Sequence, residues 1–368
     1  MPKRRPAKKR SPAAAVLLAV LCLLLLAVSR YLDSRSEPAA SVLAPEAAQA
    51  DAPKLEVHFL DIGQGDSALL FCGDETLLID GGKVKNNQKL IARLKELEVD
   101  HLDAVICSHP DEDHCGGLSA VLASTRTDAF YCSVDSWHTK VFSDVTKYVE
   151  QQGISVTVPQ AGDTFAFSDA SVEFLGPVVD YGDDPNEGSL VARVRYGETS
   201  FLFTGDMGFE AEDDMLAAGV DVSATVLKVA HHGSAGSSST EFLQAVHPQY
   251  AVISVGADND YGHPTEAALN RLAACGIPVY RTDLLGEIIA VSDGKTVTIT
   301  SASNEAPPAS DAASQTAGSY GYVGNSSSKV VHLASCGKLP GESNRVYFAS
   351  LDEALAAGYR KHANCLGN

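Results

Sequence analysis

From Leu55 to Thr300, short apolar runs are separated by glycine-containing turns and by segments of helical period. Leu55–Leu60 alternates apolar and polar positions and ends at Asp61-Ile62-Gly63-Gln64-Gly65-Asp66, which predicts a strand and a glycine turn. Ser67–Phe71 and Thr76–Ile79 predict the next strands, and Asp80-Gly81-Gly82 closes the second of them. Leu102–Cys107 reads as a buried strand. Further strands are expected at Val172–Leu175, Leu190–Val194, Ser200–Phe203, Val226–Ala230, Ala251–Val255, Pro278–Tyr280 and Thr296–Thr300. Asn87–Leu97 and Thr265–Ala274 have helical spacing. Strands and helices interleaved in this way predict an α/β domain over residues 54–300.

The flanks differ in character. Lys3, Arg4, Arg5, Lys8, Lys9 and Arg10 precede an uncharged run from Ala13 to Ser29. A basic flank and an apolar run of that length predict a membrane anchor over 1–30, its amino end in the cytoplasm and the rest of the chain outside. We expect the anchor to be retained; were it cleaved, the chain would be secreted. Cys22 follows Leu21, where a lipoprotein signal needs a small residue. Residues 31–53 read as a tether and residues 301–328, rich in Ser, Ala, Gly and Pro, as a flexible linker. Residues 329–368 read as a compact unit of two short β segments and a helix over Leu351–Ala357, stopped by Gly358 and capped by Ser350 with Glu353.

Charge narrows the options. The chain has 28 basic and 47 acidic residues, a net −19; without the six cations of its first twelve residues, the remainder has 22 against 47, or −25. That balance argues against a broad basic track for non-specific nucleic-acid binding, so a polyanionic substrate would need metal ions and a few local cations. The eight cysteines form no CxxC pair, and Cys72, Cys107 and Cys275 sit in apolar settings as core residues.

The chemistry concentrates at Ser108-His109-Pro110-Asp111-Glu112-Asp113-His114, directly after the Leu102–Cys107 strand. Imidazoles and carboxylates at this density suit divalent first-row ions. Asp80, Asp206 and the His231-His232 pair also follow apolar strands, and α/β sheets place ligands at such carboxyl ends.

Seven phrases then carry a resemblance: Leu60–Asp66, Leu78–Gly82, Ser108–His114, Phe203–Asp206, Lys228–Ser234, Tyr261–Pro264 and Tyr280–Asp283. In this order they resemble the metallo-β-lactamase fold, and within it the extracellular nuclease-like domain of ComEC-type DNA-uptake proteins. The resemblance implies a four-layer αββα sandwich over about residues 55–300, without the uptake channel, in a membrane-tethered relative. It implies that His109 and Asp111 hold one metal, Asp113 and His114 a second, with Asp206 bridging and one of His231 and His232 completing the second site. It implies that Asp80 orients the cluster from behind, that His263 is a further ligand or general acid, and that Asp113 also serves catalysis.

The broader family has histidine where Asp111 stands, and another in a region where residues 139–230 contain none. Asn186 and Ser189 occupy that stretch, as in the ComEC-like branch. An oxygen-richer first site favours manganese or magnesium-like ions over a pure zinc site, and the cofactor expected is manganese or zinc, as one or two ions. Ser234, Ser237 and Ser238, with Gly233 and Gly236, read as a phosphate cradle or an ordinary turn, and Asn186 and Ser189 as substrate contacts. Lys228 either serves the site or faces solvent, whereas His58, His101, His138 and His247 read as surface or packing residues.

In the terminal unit, His332-x3-Cys336 and His362-x2-Cys365 have zinc-ligand spacing. With Asn344–Phe348 and Ala357–Arg360 they resemble the metal-binding domain of the Ada DNA-repair protein. The implied module is a small ββα unit holding zinc, although a Cys336–Cys365 disulfide would serve the same end.

The function expected from this reading is metal-dependent phosphodiester hydrolysis by activated hydroxide, with DNA as the substrate. An envelope phosphodiesterase of choline or teichoic-acid type and a non-catalytic DNA-binding module are the alternatives. An aromatic cage near His263 would favour the choline type.

Overall fold

A computed structural model describes residues 54–303 except 258, and residues 322–366 except 334, 335, 337, 342, 343, 349 and 350. The expected anchor (1–30), tether (31–53) and Ser350 cap lie outside the described residues. Among the described residues, no helix is long and apolar enough to cross a membrane.

Two sheets form the main body. The first runs β17 (Val297–Ser301), β16 (Ile288–Ser292), β1 (Leu55–Phe59), β2 (Ala68–Cys72), β3 (Glu75–Ile79), β5 (Ala104–Cys107), β7 (Phe130–Cys132) and β8 (Val156–Thr157). The second runs β15 (Val279–Arg281), β14 (Tyr250–Ile253), β13 (Val226–Lys228), β12 (Thr199–Phe203), β11 (Val191–Tyr196), β10 (Ala170–Gly176) and β9 (Thr164–Phe167). A separate short pair joins β4 (His101–Leu102) to β6 (Arg126–Thr127).

Alternation along the strands builds the layers. Leu55, Val57 and Phe59 of β1 enter the core between the sheets, where they join Phe201 and Phe203 of β12. The Phe59 and Phe203 rings stack with centroids 5.9 Å apart. The intervening Leu202 turns outward to the residues of helices Phe209–Ala217 and Thr240–Val246. On the other side, Leu69, Leu78 and Val105 pack with helices Asn87–Glu96, Leu118–Ser124 and Lys140–Gln151. Sheet faces buried on both sides explain why many strands read as continuous apolar runs. The outcome is helix, sheet, sheet, helix.

Each sheet changes from antiparallel to parallel at one strand. β3 pairs antiparallel with β2 and parallel with β5; β12 pairs antiparallel with β11 and parallel with β13. Reversals of this kind open a crevice beyond the strands' carboxyl ends.

The terminal unit departs from the expected ββα. Four strands, β18 (Tyr322–Asn325), β19 (Val330–Leu333), β20 (Arg345–Phe348) and β21 (Arg360–Lys361), form a sheet in the order β20-β18-β19-β21, over a helix Leu351–Ala356. The linker expected over 301–328 also needs correction. Ser301 ends β17, and Tyr322–Asn325 is an inner strand of the terminal sheet. Low hydropathy hid that strand, whose Gly324 leaves room for the Tyr359 and Phe348 rings. Helix Glu266–Ala274 of the main body packs against β20.

Candidate metal centre

The crevice beyond β3 and β12 collects the polar residues. After β3, Asp80 has a left-handed backbone (φ 60°), while its amide donates to Ile106 O at 2.8 Å. After β5, Ser108–Pro110 lead into a helical turn, Glu112–Cys115. Asp66 N donates to Asp113 O at 3.0 Å, which ties the first glycine turn to this cluster. Gly65 (φ 133°) is required there, because a Cβ would run into Asp113 O. After β12 comes Asp206, and after β13 come His231 and His232, both left-handed with φ of 51° and 54°. Two consecutive strained non-glycine residues persist only where their surroundings hold them. His231 N, donating to Gly205 O at 3.1 Å, is part of that restraint.

The side chains converge. The His109 and His114 rings lie with centroids 4.1 Å apart, tilted by 47°, and those of His114 and His232 lie 5.3 Å apart. Asp206 is central: its carboxylate lies 3.0 Å from His114 Nε2, 3.6 Å from His232 Nε2 and 3.7 Å from His231 Nε2. Asp113 Oδ2 is 3.7 Å from His232 Nε2, and Asp111 Oδ2 is 3.9 Å from His109 Nε2. One atom from each of Asp66, His114, Asp206 and His232 can be chosen so that all four lie within 4.8 Å of one another.

Hydrogen bonds behind the rings set their tautomers. Asp80 Oδ2 lies 2.8 Å from His114 Nδ1, and the Ser254 carbonyl lies 2.8 Å from His232 Nδ1. Both partners can only accept, so Nδ1 carries the hydrogen. Ser108 Oγ donates to Asp80 at 2.8 Å and so accepts from His109 Nδ1 at 3.1 Å. The opposite nitrogens therefore face inward. His109 and His232 Nε2 are buried without a hydrogen-bond partner among the described residues, and His114 Nε2 faces only the Asp206 carboxylate, at 3.0 Å. Buried polar atoms left in this way fit a divalent cation, and imidazole with carboxylate suits zinc or manganese.

The electrostatics agree. Burial would lower the His114 pKa, but Asp206 and Asp80 outweigh it and hold the ring well above the ordinary histidine range. The proton so retained is positive charge that a bound divalent ion would replace. Burial, then His114, pushes His109 well below that range. Burial would raise the Asp206 carboxyl, yet His114 and His232 hold it well below the ordinary carboxylate range. His263, its ring 5.5 Å from His231, is pushed down to about 4 by burial and then by His232 and His231.

Other predicted residues are placed differently. Ser189 and Ser237 are fully buried, which removes them from substrate contact. Ser189 Oγ accepts from Asp206 N at 3.1 Å and lies 3.4 Å from His109 Nδ1, so it positions both. Ser237 Oγ donates to Ala230 O at 2.9 Å and holds the histidine turn. The cradle expected at Ser234 and Ser237 is not an open anion site. Ser234 Oγ accepts from Gly236 N at 3.2 Å, and the amides of Ser238 and Ser239 donate to the buried Glu212 carboxylate. Asn186 stands in the turn before Ser189, its amide donating to Asp184 at 3.2 Å and its side-chain oxygen buried without a partner among the described residues.

The fully buried Arg271 clamps this serine loop by donating to the carbonyls of Ala235 (3.1 Å), Ser237 (2.6 Å) and Ser238 (2.8 Å). Arg271→Leu should cost about 2–3 kcal/mol, because those carbonyls lose their donors inside the fold. Chemical denaturation with circular dichroism would register it.

Asp66 escaped the sequence reading as a site residue, and Lys228 had two readings. Asp66 lies 2.6 Å from Lys228 Nζ and 3.1 Å from His232 Nδ1, and Lys228 is buried. Lys228 therefore does not face solvent; it serves the site through the Asp66 carboxylate. Its place at the end of the apolar strand β13, one residue before an apolar turn, was the available signal.

The family model described as "Metallo-beta-lactamase superfamily" matches residues 60–257, which include Asp66, Asp80, the 109–114 cluster, Asp206 and His232. The chain belongs to that superfamily. Competence protein ComA of Neisseria gonorrhoeae is 34% identical over 76% of this chain and 38% of its own length. ComE operon protein 3 of Bacillus subtilis is 31% identical over 63% of this chain and 32% of its own length, and recombination protein 2 of Haemophilus influenzae 30% identical over 65% and 29%. The chain thus spans about a third of these curated relatives. Among solved structures, the metallo-beta-lactamase fold protein YhfI from Bacillus subtilis aligns at 14% identity and a TM-score of 0.45, over 67% of this chain and the whole of that one.

A second cluster lies in the terminal unit. His332, Cys336, His362 and Cys365 offer ligand atoms all within 4.8 Å of one another. His362 Nδ1 is 3.2 Å from Cys365 Sγ and 3.8 Å from Cys336 Sγ, and both thiols are free of disulfide bonds. Leu333 N donates to Cys365 Sγ at 3.4 Å, but burial outweighs this contact and pushes the thiol up, so a bound cation would have to displace its proton. His332 Nδ1 is buried without a partner among the described residues, so this donor set also fits a cation.

Proposed function

We propose that the chain is a metal-dependent phosphodiester hydrolase acting on DNA, in the context of DNA uptake or degradation. One observation carries the reading: three buried imidazole nitrogens converge on the Asp206 carboxylate at one mouth of the sandwich, two of them, on His109 and His232, without a hydrogen-bond partner among the described residues. His109, Asp111, Asp113, His114, Asp206 and one or both of His231 and His232 would hold one or two manganese or zinc ions. A bound divalent ion lowers the pKa of its water and offsets charge on phosphate oxygens.

The protein's own part is positional. Asp80, Ser108, Ser189 and Ser254 fix the rings, while half-buried His263 stands at the mouth with its Nδ1 buried and unpartnered among the described residues. The competence-protein relatives support a nucleic-acid substrate over a choline-type one. So does the cleft beside His263, where Tyr261 is the one aromatic among the described lining residues and a cage would need several. In this reading the amino-terminal segment tethers the chain with its catalytic face outside the cell. The His332/Cys336/His362/Cys365 cluster holds a structural zinc.

The test is cleavage of plasmid DNA and of bis-p-nitrophenyl phosphate by the full chain with manganese or zinc. Metal-stimulated turnover of both is expected, and its absence under all metals overturns the reading.

A further inference from the structure

Beside the candidate metal centre lies a polar cleft of about 320 Å³ that the reaction so far does not use. Lys83 joins the two. Its Nζ is 3.8 Å from Asp113 Oδ2 on one side and donates to the Tyr261 hydroxyl at 3.1 Å on the other. The cleft is rich in donors. Gln64 is only 6% exposed, and its Oε1 accepts from Gly256 N at 3.2 Å. Because that amide can only donate, the Gln64 Nε2 donor is left over, and it is buried with no partner among the described residues. Asn86 Nδ2 is in the same condition, and exposed Lys85 adds a cation at the rim.

Two carboxylates also line the cleft. Asp61 is already paired with Lys89 at 2.9 Å, and Asp260 lies on the exposed edge. Two buried amide donors without acceptors and two lysines suit a ligand group that only accepts. A phosphate is such a group. Tyr261, 58% exposed and stacked against His263 with centroids 5.8 Å apart, stands between the cleft and the metal centre. An exposed ring at that position can stack an unpaired base.

We propose that this cleft is a second phosphate subsite. It holds the phosphate next to the one at the metal centre, with the intervening base on Tyr261, so the preferred substrate is a single strand. This rests on the phosphodiesterase reading and adds the strand's path and its single-stranded character. In a chain of net −19, such a local donor set would supply the cations that the overall charge withholds.

The test measures binding of a fluorescein-labelled oligothymidylate to the full chain by anisotropy. EDTA prevents turnover, and a base-free phosphate oligomer of equal length serves as a second probe. Lys85→Ala and Gln64→Glu should each weaken both probes about tenfold. Lys85→Ala should also reduce the salt slope of the affinity by about 0.7. Tyr261→Ala should weaken only the base-bearing strand, by roughly 5- to 100-fold. Lys85 and Tyr261 are exposed, so their variants keep the fold and the test does not depend on Gln64→Glu alone. Affinities within twofold of wild type for Lys85→Ala and Tyr261→Ala, in a protein that still cleaves DNA, overturn the subsite. A wild-type chain that binds the strand in this pattern but never cleaves it overturns the hydrolase reading instead.

Discussion

Asp206→Ala is expected to abolish metal-stimulated cleavage, with kcat falling by at least roughly 10²- to 10³-fold. Among the described residues, Asp206 is the one carboxylate within 4 Å of His114, His231 and His232 alike, so no described neighbour can replace it. The same change should remove the metal's effect on stability. A ligand that binds only the folded state adds about 2.7 kcal/mol at a hundredfold excess over its Kd. Wild type should therefore melt higher with manganese, which the thiolate cluster of the terminal unit does not favour, and Asp206→Ala should melt alike with and without it. Without metal the variant should stay folded, because the lost carboxylate is central to the site and peripheral to the apolar core. Differential scanning fluorimetry beside the cleavage assay separates the two effects. Cleavage retained by a folded Asp206→Ala would remove the metal centre from the reaction.

Asp66→Ala should be the most destabilising single change near the site. It strands Lys228, which is 3% exposed and would keep only the Val229 carbonyl at 2.8 Å as a partner. Breaking a buried ion pair from one side costs about 3–5 kcal/mol, which for a body of this size lowers Tm by roughly 10 °C. Asp66→Ala combined with Lys228→Met should recover much of that loss, because the uncompensated charge is gone. The pH dependence has a definite sign. Lys228 and His232 outweigh burial and hold the Asp66 carboxyl below its ordinary value. Its contribution is therefore present above the ordinary aspartate range and fades as pH falls toward the lowered value. Thermal melts of wild type and variant should differ fully at pH 7 and converge in strong acid. Equal melting temperatures at pH 7 would show that the pair contributes nothing.

The legible part of this molecule is the part where chemistry sits at strand ends. His109, His114, Asp206 and His232 are separated by up to 123 positions in the chain, yet each follows an apolar run, and the fold brings those ends together. What stayed hidden depends on burial and direction, which composition does not encode. Ser189 and Ser237 looked like substrate contacts because they are polar and near the site. Their hydroxyls turn inward, to Asp206 and to Ala230, and leave no access for a ligand. Lys228 looked ambiguous because a lysine ending a strand is usually solvated, and only the Asp66 carboxylate across the crevice explains its burial. Strands β6, β7, β8, β9 and β16 were passed over; β6, β7 and β8 are only two or three residues long, and Thr164–Phe167 of β9 is short and polar at its start. The terminal strand β18 was hidden in a glycine- and serine-rich stretch, where its hydrogen bonds to β19 and β20 override weak propensity.

The most direct check of the central claim is a crystal of the protein grown with manganese, with anomalous scattering recorded at the manganese edge. The account predicts a peak at Asp206, within coordinating distance of its carboxylate and of the Nε2 atoms of His114 or His232. No peak at Asp206 with manganese in excess, whether or not one stands elsewhere, would contradict it.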